Sequence, residues 1–536
     1  MRVERLELPA FKNLREFSID FDPLPRTTML VGRNGTGKSN LIEALVLIFR
    51  DLIQHTRGPA VTTGFPYRLS YRIGNHAVVV DHDPKRERGQ TAVELDGARA
   101  PLAALKPKDS ADLLPQTLFA YYSGPSNRLE QAFDEPLTQF RDAMIEGDTH
   151  ARQRLVYGRL IHSKFVLLSF FAEQDPDTIA FLDEELGIET LDSVVFVIKQ
   201  PYWGKKQPPD RKSEFWGARG IVKKEFLDRL YEDALAPLQL DQRMPVGIKR
   251  QQTTQHLYLV LKDQSALQKF VQRLGDLGGE GSARELFKVL ESAYVSDLIE
   301  DVRVNVRKRN LNGHITFREL SEGEQQLLMV LGLLRFTKDE ESLFLLDEPD
   351  THLNPVWSLR YLELIRKAVG GSEGADDSRQ LIIATHDPVA VALMKRNQVR
   401  QLVREDDGLI RAHEPDEDPI NLGIAVLLSE LFGFQSIMAP SIAEKIRDKH
   451  RLVAKGEKRT EKDEKDLTQL RREIGEIDLS AIHPDPLYAR FVKRLLQREA
   501  ETLFDKPVLS PEEAKHMEQL TAEVLEELFE EDEADA

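Results

Sequence analysis

Four short clusters of residues carry the types and spacings that phosphate chemistry needs. The first is Gly32-Arg33-Asn34-Gly35-Thr36-Gly37-Lys38-Ser39, which fits G-x-x-x-x-G-K-[ST]. The glycines let backbone N–H groups curl around phosphates, and a following helix adds partial positive charge at its N-terminus. In such a loop Lys38 reaches the β- and γ-phosphates and the Ser39 hydroxyl binds Mg²⁺. The second is Leu343-Phe344-Leu345-Leu346-Asp347-Glu348-Pro349, an apolar run ending in two acids. A buried strand of this kind delivers Asp347 to the metal and Glu348 to an attacking water, and a phosphate loop without a metal carboxylate would be incomplete. The third is Leu320-Ser321-Glu322-Gly323-Glu324-Gln325-Gln326. By itself it reads as a helix start, with Ser321 and Glu324 as a capping box. The fourth, Ile383-Ala384-Thr385-His386-Asp387-Pro388, puts a His at the end of a strand, where it can sense a γ-phosphate. Alone, such a His is usually structural.

The elements around these clusters follow from hydrophobic periodicity. The 536 residues suggest about three or four domains. Residues 1–125 read as strands around one helix: Val3, Leu6 and Leu8, then Phe17, Ile19 and Phe21, then the run 27–31 that enters the glycine-rich loop, and a helical pattern over 40–49. Further strands are expected over 67–83, 91–95 and 117–122. Residues 126–300 read as a mainly helical insertion, clearest over 160–171 and 267–274, with a polar, Pro-rich loop at 205–212. Residues 301–415 return to strand–helix alternation, with a Gly-rich linker at 370–377. Residues 416–536 read as all-helical: a hairpin over 442–474, helices over 487–498 and 511–529, and an acidic tail.

Composition sets limits. The absence of Cys excludes disulfides, Cys-ligated zinc, Fe–S clusters and thiol catalysis. No run approaches the roughly 20 apolar residues of a membrane helix, and the first residues lack the apolar run of a secretory leader. Together these point to a cytoplasmic protein with no membrane partner. A net charge of −17 argues against a whole-protein grip on nucleic acid. A local surface remains: Arg303, Asn305, Arg307 and Arg309 alternate, so they share one strand face. That face either tracks the phosphates of DNA or is the solvated side of an antiparallel strand. The basic run from Lys445 to Arg459 is interleaved with acids and reads as a solvated helix face.

In this order, the four clusters resemble the head of an SMC/RecF-like ABC-type ATPase, over roughly residues 1–125 and 300–415. The resemblance implies an α/β fold, an ABC-type P-loop ATPase head with a helical insertion and a C-terminal all-helical domain. It implies ATP held by Gly32 through Asn40, with Mg²⁺ on Ser39 and Asp347, Glu348 as general base, and His386 at the γ-phosphate. Ser321 and Gly323 would act on the ATP of a partner head, making a homodimer or a higher even oligomer. Phe11-Lys12-Asn13-Leu14 resembles the family's basic turn, which brings Lys12 near the nucleotide. Thr351-His352-Leu353-Asn354 takes the D-loop position, departing from the Asp common in transporters at its last residue. Ser123 or Asn127 takes the place of the Q-loop residue. The layout is most similar to the ATPase of Septu-type or retron-associated anti-phage defence (PtuA-like). That resemblance implies a separate nuclease of HNH type and, in the retron form, a reverse transcriptase and its DNA. The other readings are a RecF-like DNA repair ATPase acting on ends or gaps, and a scaffold without turnover, which conflicts with Glu348. No nuclease site is legible in the chain itself, since His483 and His516 lack the spacing of an HNH metal site.

Overall fold

The computed structural model describes residues 1–22, 26–54, 63–106, 112–146, 153–173, 175–204, 212–220, 222–245, 251–274, 282–309, 314–336, 341–351, 353, 355–370 and 379–433, with scattered positions from 445 to 527. The chain divides into two units, 1–418 and 419–536.

The first unit begins with β1 (Arg2–Phe11) and β2 (Leu14–Asp20), whose buried positions alternate as a half-covered strand requires. Next come β3 (Thr27–Val31) and α1 (Lys38–Gln54). β4 (Tyr67–Ile73), β5 (His76–His82), β6 (Thr91–Leu95) and β7 (Ala98–Ala100) complete a six-stranded sheet in the order β2-β1-β4-β5-β6-β7. β8 (Thr117–Tyr122) follows.

The segment 126–300, expected to be mainly helical, carries strands as well. Its helices are α2 (Arg128–Gln131), α3 (Asp134–Glu146), α4 (Ile161–Glu173), α5 (Pro176–Leu186), α6 (Asp228–Asp233), α7 (Gln264–Leu274) and α8 (Ala283–Val295). Its strands are β9 (Leu155–Tyr157), β10 (Ile188–Lys199), β11 (Leu238–Pro245) and β12 (Gln251–Leu261). The last three join β13 (Ile299–Lys308) and β14 (His314–Thr316) in an antiparallel sheet, β11-β12-β10-β13-β14. Val194, Val195, Phe196, Val197 and Ile198 form a continuous apolar run. Such a run suits a strand inside a sheet and a buried helix equally, so periodicity alone does not separate the two.

The remaining elements of the first unit are α9 (Glu322–Phe336), β15 (Ser342–Asp347), α10 (Pro355–Gly370), β16 (Gln380–Ala384), α11 (Pro388–Val391), β17 (Val399–Arg404) and β18 (Ile410–His413). They build a seven-stranded sheet in the order β18-β17-β3-β16-β15-β8-β9, parallel except for β18. β15 and β16 are buried at every position, as the middle of a parallel sheet covered on both faces demands. α1 lies between the two larger sheets: its Leu41, Ile42, Leu45 and Phe49 share a core with Leu6, Leu8 and Phe17 on one side and Leu118, Leu343 and Ile382 on the other.

In the second unit, α12 (Ile424–Glu430) is helical. The expected hairpin over 442–474 and the helices over 487–498 and 511–529 fall largely outside the described residues. So do the acidic tail, His483, and most of the loop at 205–212 and the linker at 370–377. Among the described residues, no helix is long and apolar enough to cross a membrane.

Candidate functional site

The register of the parallel sheet lines up the chemistry. Leu30 of β3 stands beside Ala384 of β16, Ala384 beside Asp347 of β15, and Asp347 beside Tyr122 of β8. All four strands run the same way, so the loops that leave their carboxyl ends emerge side by side, where open α/β sheets bind ligands. The P-loop leaves β3, Glu348 follows β15, and His386 follows β16.

Inside the P-loop, Gly32, Gly35 and Gly37 have φ of 140°, 82° and 93°. A Cβ on Gly32 would stand 2.5 Å from the Leu402 carbonyl oxygen, and one on Gly37 would stand 2.7 Å from the Leu14 side chain. Backbone therefore turns where side chains have no room. Thr36 closes the loop by donating from its hydroxyl to the Arg33 carbonyl (2.8 Å), while Arg33 and Asn34 are exposed. Lys38 is buried and folds back to donate to the Gly32 carbonyl at 2.7 Å. Burial pushes its ammonium below the ordinary value, against the pull of Glu348 and Asp347. Ser39 opens α1.

Asp347 is 2% exposed, and its Oδ1 has no hydrogen-bond partner. Desolvation raises its carboxyl to about 6, with Ser39, Arg128 and Lys38 pulling down and Glu348 pushing up. An orphaned carboxylate oxygen beside a serine hydroxyl and a glycine cradle at a helix N-terminus suits a divalent cation and the phosphates of a nucleotide. His386 Nδ1 stands 3.5 Å from Glu348 Oε1. The pair shifts in opposite directions: His386 holds Glu348 below the usual carboxylate range, and Glu348 holds His386 above the usual imidazole range. The His386 loop is tied down from behind. Thr385 donates its hydroxyl to buried Asp350 and accepts from the Asp387 N–H (2.9 Å). Burial raises Asp350 to about 6, with the Thr385 hydrogen bond opposing.

Two residues that sequence reasoning passed over join the site. Asn13 donates to the Gly35 carbonyl (2.8 Å) and accepts from Asn40 (2.6 Å). Arg128, at the start of α2, donates to Asn40 Oδ1 (3.0 Å) and lies 3.6 Å from Glu43. Asn13 stood next to Lys12 in a turn already singled out. Arg128 had no such signal, because only the sheet order brings the end of β8 to α1. Lys12, in a left-handed conformation at φ 53°, pairs with Glu43 of α1 and stacks its ammonium over Phe11.

Ser321 immediately precedes α9 and Gly323 is its second residue, and the expected capping box is present. Ser321 accepts from the Glu324 N–H (3.2 Å), and Glu324 accepts from the Ser321 N–H (2.8 Å). Among the described residues, nothing joins Ser321 to the P-loop. Instead α9 reaches the site through Gln326, which donates to the Pro349 carbonyl. Of the two Q-loop candidates, Ser123 donates its N–H to the Asp347 carbonyl (3.2 Å), and its hydroxyl meets that of Thr351 (2.9 Å). Asn127 makes no side-chain cap bond to α2. His352 and Asn354 lie outside the described residues.

Arg303, Asn305 and Arg307 do share one face of β13, as their alternation requires. Arg309 follows the strand rather than ending it. Each arginine already faces an acid: Arg303 lies 3.8 Å from Asp301, Arg307 lies 3.3 Å from Asp192, and Arg309 pairs with Asp183. These pairs favour the solvated-face reading over a phosphate track.

Residues 1–96 match the family described as "AAA ATPase domain". Residues 208–392 match the family described as "AAA domain, putative AbiEii toxin, Type IV TA system". Both matched families are described as AAA domains. No curated protein matches it. Among solved structures, it is similar to the SMC head domain from Thermotoga maritima at 14% identity and a TM-score of 0.31, covering 78% of this chain and 100% of that one. It is similar at the same identity and TM-score to the Smc head domain with an extended coiled coil bound to the C-terminal domain of ScpA, derived from Pyrococcus furiosus, covering 77% and 96%. At that TM-score the likeness carries no argument about the fold, which rests on strand order and P-loop geometry.

Proposed function

We propose that this chain binds and hydrolyses ATP as an SMC/RecF-like ABC-type head, and that it is the sensor or regulator subunit of an anti-phage defence complex. Its heads pair around ATP, and a separate nuclease, of HNH type, is the effector. One observation carries the hydrolytic reading: Lys38, Asp347, Glu348 and His386 emerge together from adjacent parallel strands.

The roles follow from the surroundings of each group. Lys38 is held dry beside the loop, so its charge acts on phosphate with little screening by water. Ser39 and Asp347 would hold Mg²⁺, which when bound neutralises charge on the phosphate oxygens. Glu348 is ionised, half-exposed and oriented by His386, which suits it to take a proton from water. Ser321 stands exposed at the N-terminus of α9, where a second head can present phosphate to its hydroxyl and N–H groups.

Two measurements test this. Purified protein should hydrolyse ATP only with Mg²⁺, and lack of turnover would remove the hydrolytic reading. Native mass spectrometry of the tagged protein expressed from its own operon should find a bound nuclease, with or without a reverse transcriptase and its DNA. A homodimer without any partner, together with DNA-stimulated hydrolysis, would replace the defence reading with a RecF-like DNA repair ATPase.

A further inference from the structure

The antiparallel sheet β11-β12-β10-β13-β14 ends on β11, an eight-residue strand whose outer edge has no neighbour among the described residues. β11 pairs with β12 over eight consecutive positions without a bulge. Sheet edges are normally blunted by bulges, internal proline, lysine or very short strands, because unpaired N–H and C=O groups template further pairing. β11 has none of these: its Pro245 is the last residue. The rim of the sheet is also apolar. Leu235, Leu238 and Leu240 are 69%, 51% and 44% exposed, a local cluster of the kind that marks interaction surfaces.

We infer that β11 pairs antiparallel with β11 of a second copy of this chain, joining two five-stranded sheets into one. The sequence of the strand is self-complementary about Gln242. In a two-fold antiparallel pair centred there, Asp241 of one copy stands opposite Arg243 of the other, and the pair occurs twice. Both side chains are exposed, and neither has a hydrogen-bond or ion-pair partner among the described residues. Opposite charges directly across an antiparallel pair stabilise it, and like charges directly across oppose it. A two-fold interface requires this self-complementarity, since the same patch serves both copies.

This contact lies on a different sheet from the nucleotide site, so it is independent of ATP and stands whether or not the heads pair. The test is sedimentation velocity of the full chain without nucleotide, repeated with Lys38→Ala. The wild type and Lys38→Ala should both sediment as dimers. Asp241→Arg and Arg243→Asp should each weaken the dimer by at least about tenfold, since each places like charges opposite one another twice. The double variant Asp241→Arg/Arg243→Asp should restore the wild-type dimer, because the swap recreates both pairs. Melting temperatures within a few degrees of wild type confirm folding, as expected for exposed side chains. A monomeric nucleotide-free wild type overturns the inference and leaves the edge to a different chain. Single variants that dimerise like wild type, or a double variant without rescue, overturn it as well.

Discussion

Glu348 holds φ at 53°, a left-handed conformation that non-glycine residues rarely adopt. The turn is held by the bond from its N–H to the Ala384 carbonyl (2.8 Å), which ties the Glu348 backbone to the end of the strand that His386 follows. A group positioned this way should matter to the rate more than to binding. Glu348→Gln should lower turnover by about 10²-fold or more while ATP still binds. A steady-state assay beside calorimetry checks this, and wild-type turnover would sink the assignment. Lys38→Ala should instead lose nucleotide affinity. Asp347 gives a pH signature. Its folded carboxyl, at about 6 against an ordinary 3.8, binds its proton more tightly than the unfolded chain does. Ionisation therefore costs stability above pH 6, and the cost disappears as pH falls from about 6 towards 4. Asp347→Asn should stabilise the nucleotide-free protein near pH 8 by roughly 2–3 kcal/mol, with the gain gone near pH 4; thermal melts across pH measure it. At this scale the sequence was legible where a motif carries its own spacing, as in the P-loop, the Asp347-Glu348 pair and the Ser321–Glu324 cap. Arg128 was not, because its place at Asn40 and Glu43 exists only after β8 pairs with β15.

Between elements, the link from the site to the inserted segment runs through α9. Its N-terminus touches the Pro349 carbonyl through Gln326, and its middle packs on α4 at Gly332. A Cβ on Gly332 would fall 2.0 Å from Val166 Cγ1, so Gly332→Ala must drive the helices apart. Overpacking of this sort costs about 1–3 kcal/mol, and a urea titration should show it; an unchanged midpoint would mean the helices shift freely. Deeper in the same packing, His162 Nε2 meets Glu291 Oε2 at 2.7 Å, both buried. Burial pushes Glu291 up, but His162, Gln153 and Arg159 together hold it below the usual carboxylate range. That stability is present above the unfolded carboxyl pKa and is lost as pH falls through the lower folded value. His162→Phe leaves a buried carboxylate oxygen without its hydrogen-bond donor and should cost about 1–3 kcal/mol, read from the midpoint of a urea titration. The sequence announced α4 and α7, whose apolar spacing is helical. It did not announce β10 to β12, since a short apolar run bounded by loops has no period to read.

For the whole molecule, strand–turn–helix signals recur in the sequence at both ends of the first unit, but the order of the strands in the sheet is not readable from them. β3 is encoded at residues 27–31, yet its sheet neighbours are β16 and β17, encoded at 380–384 and 399–404. A chain ending at Phe336 lacks both neighbours and β15 as well. It should bind no ATP by calorimetry and should aggregate; binding by that fragment would show that α1 and the P-loop form without the sheet. The same separation has a consequence during synthesis. An apolar strand and the loop that follows it leave the ribosome about 350 residues ahead of the strands that cover them. At about 5–20 residues per second that is a wait of roughly 20–70 s. For that interval the future nucleotide pocket is bare chain, so no ligand can stabilise the nascent protein until the C-terminal strands have been made.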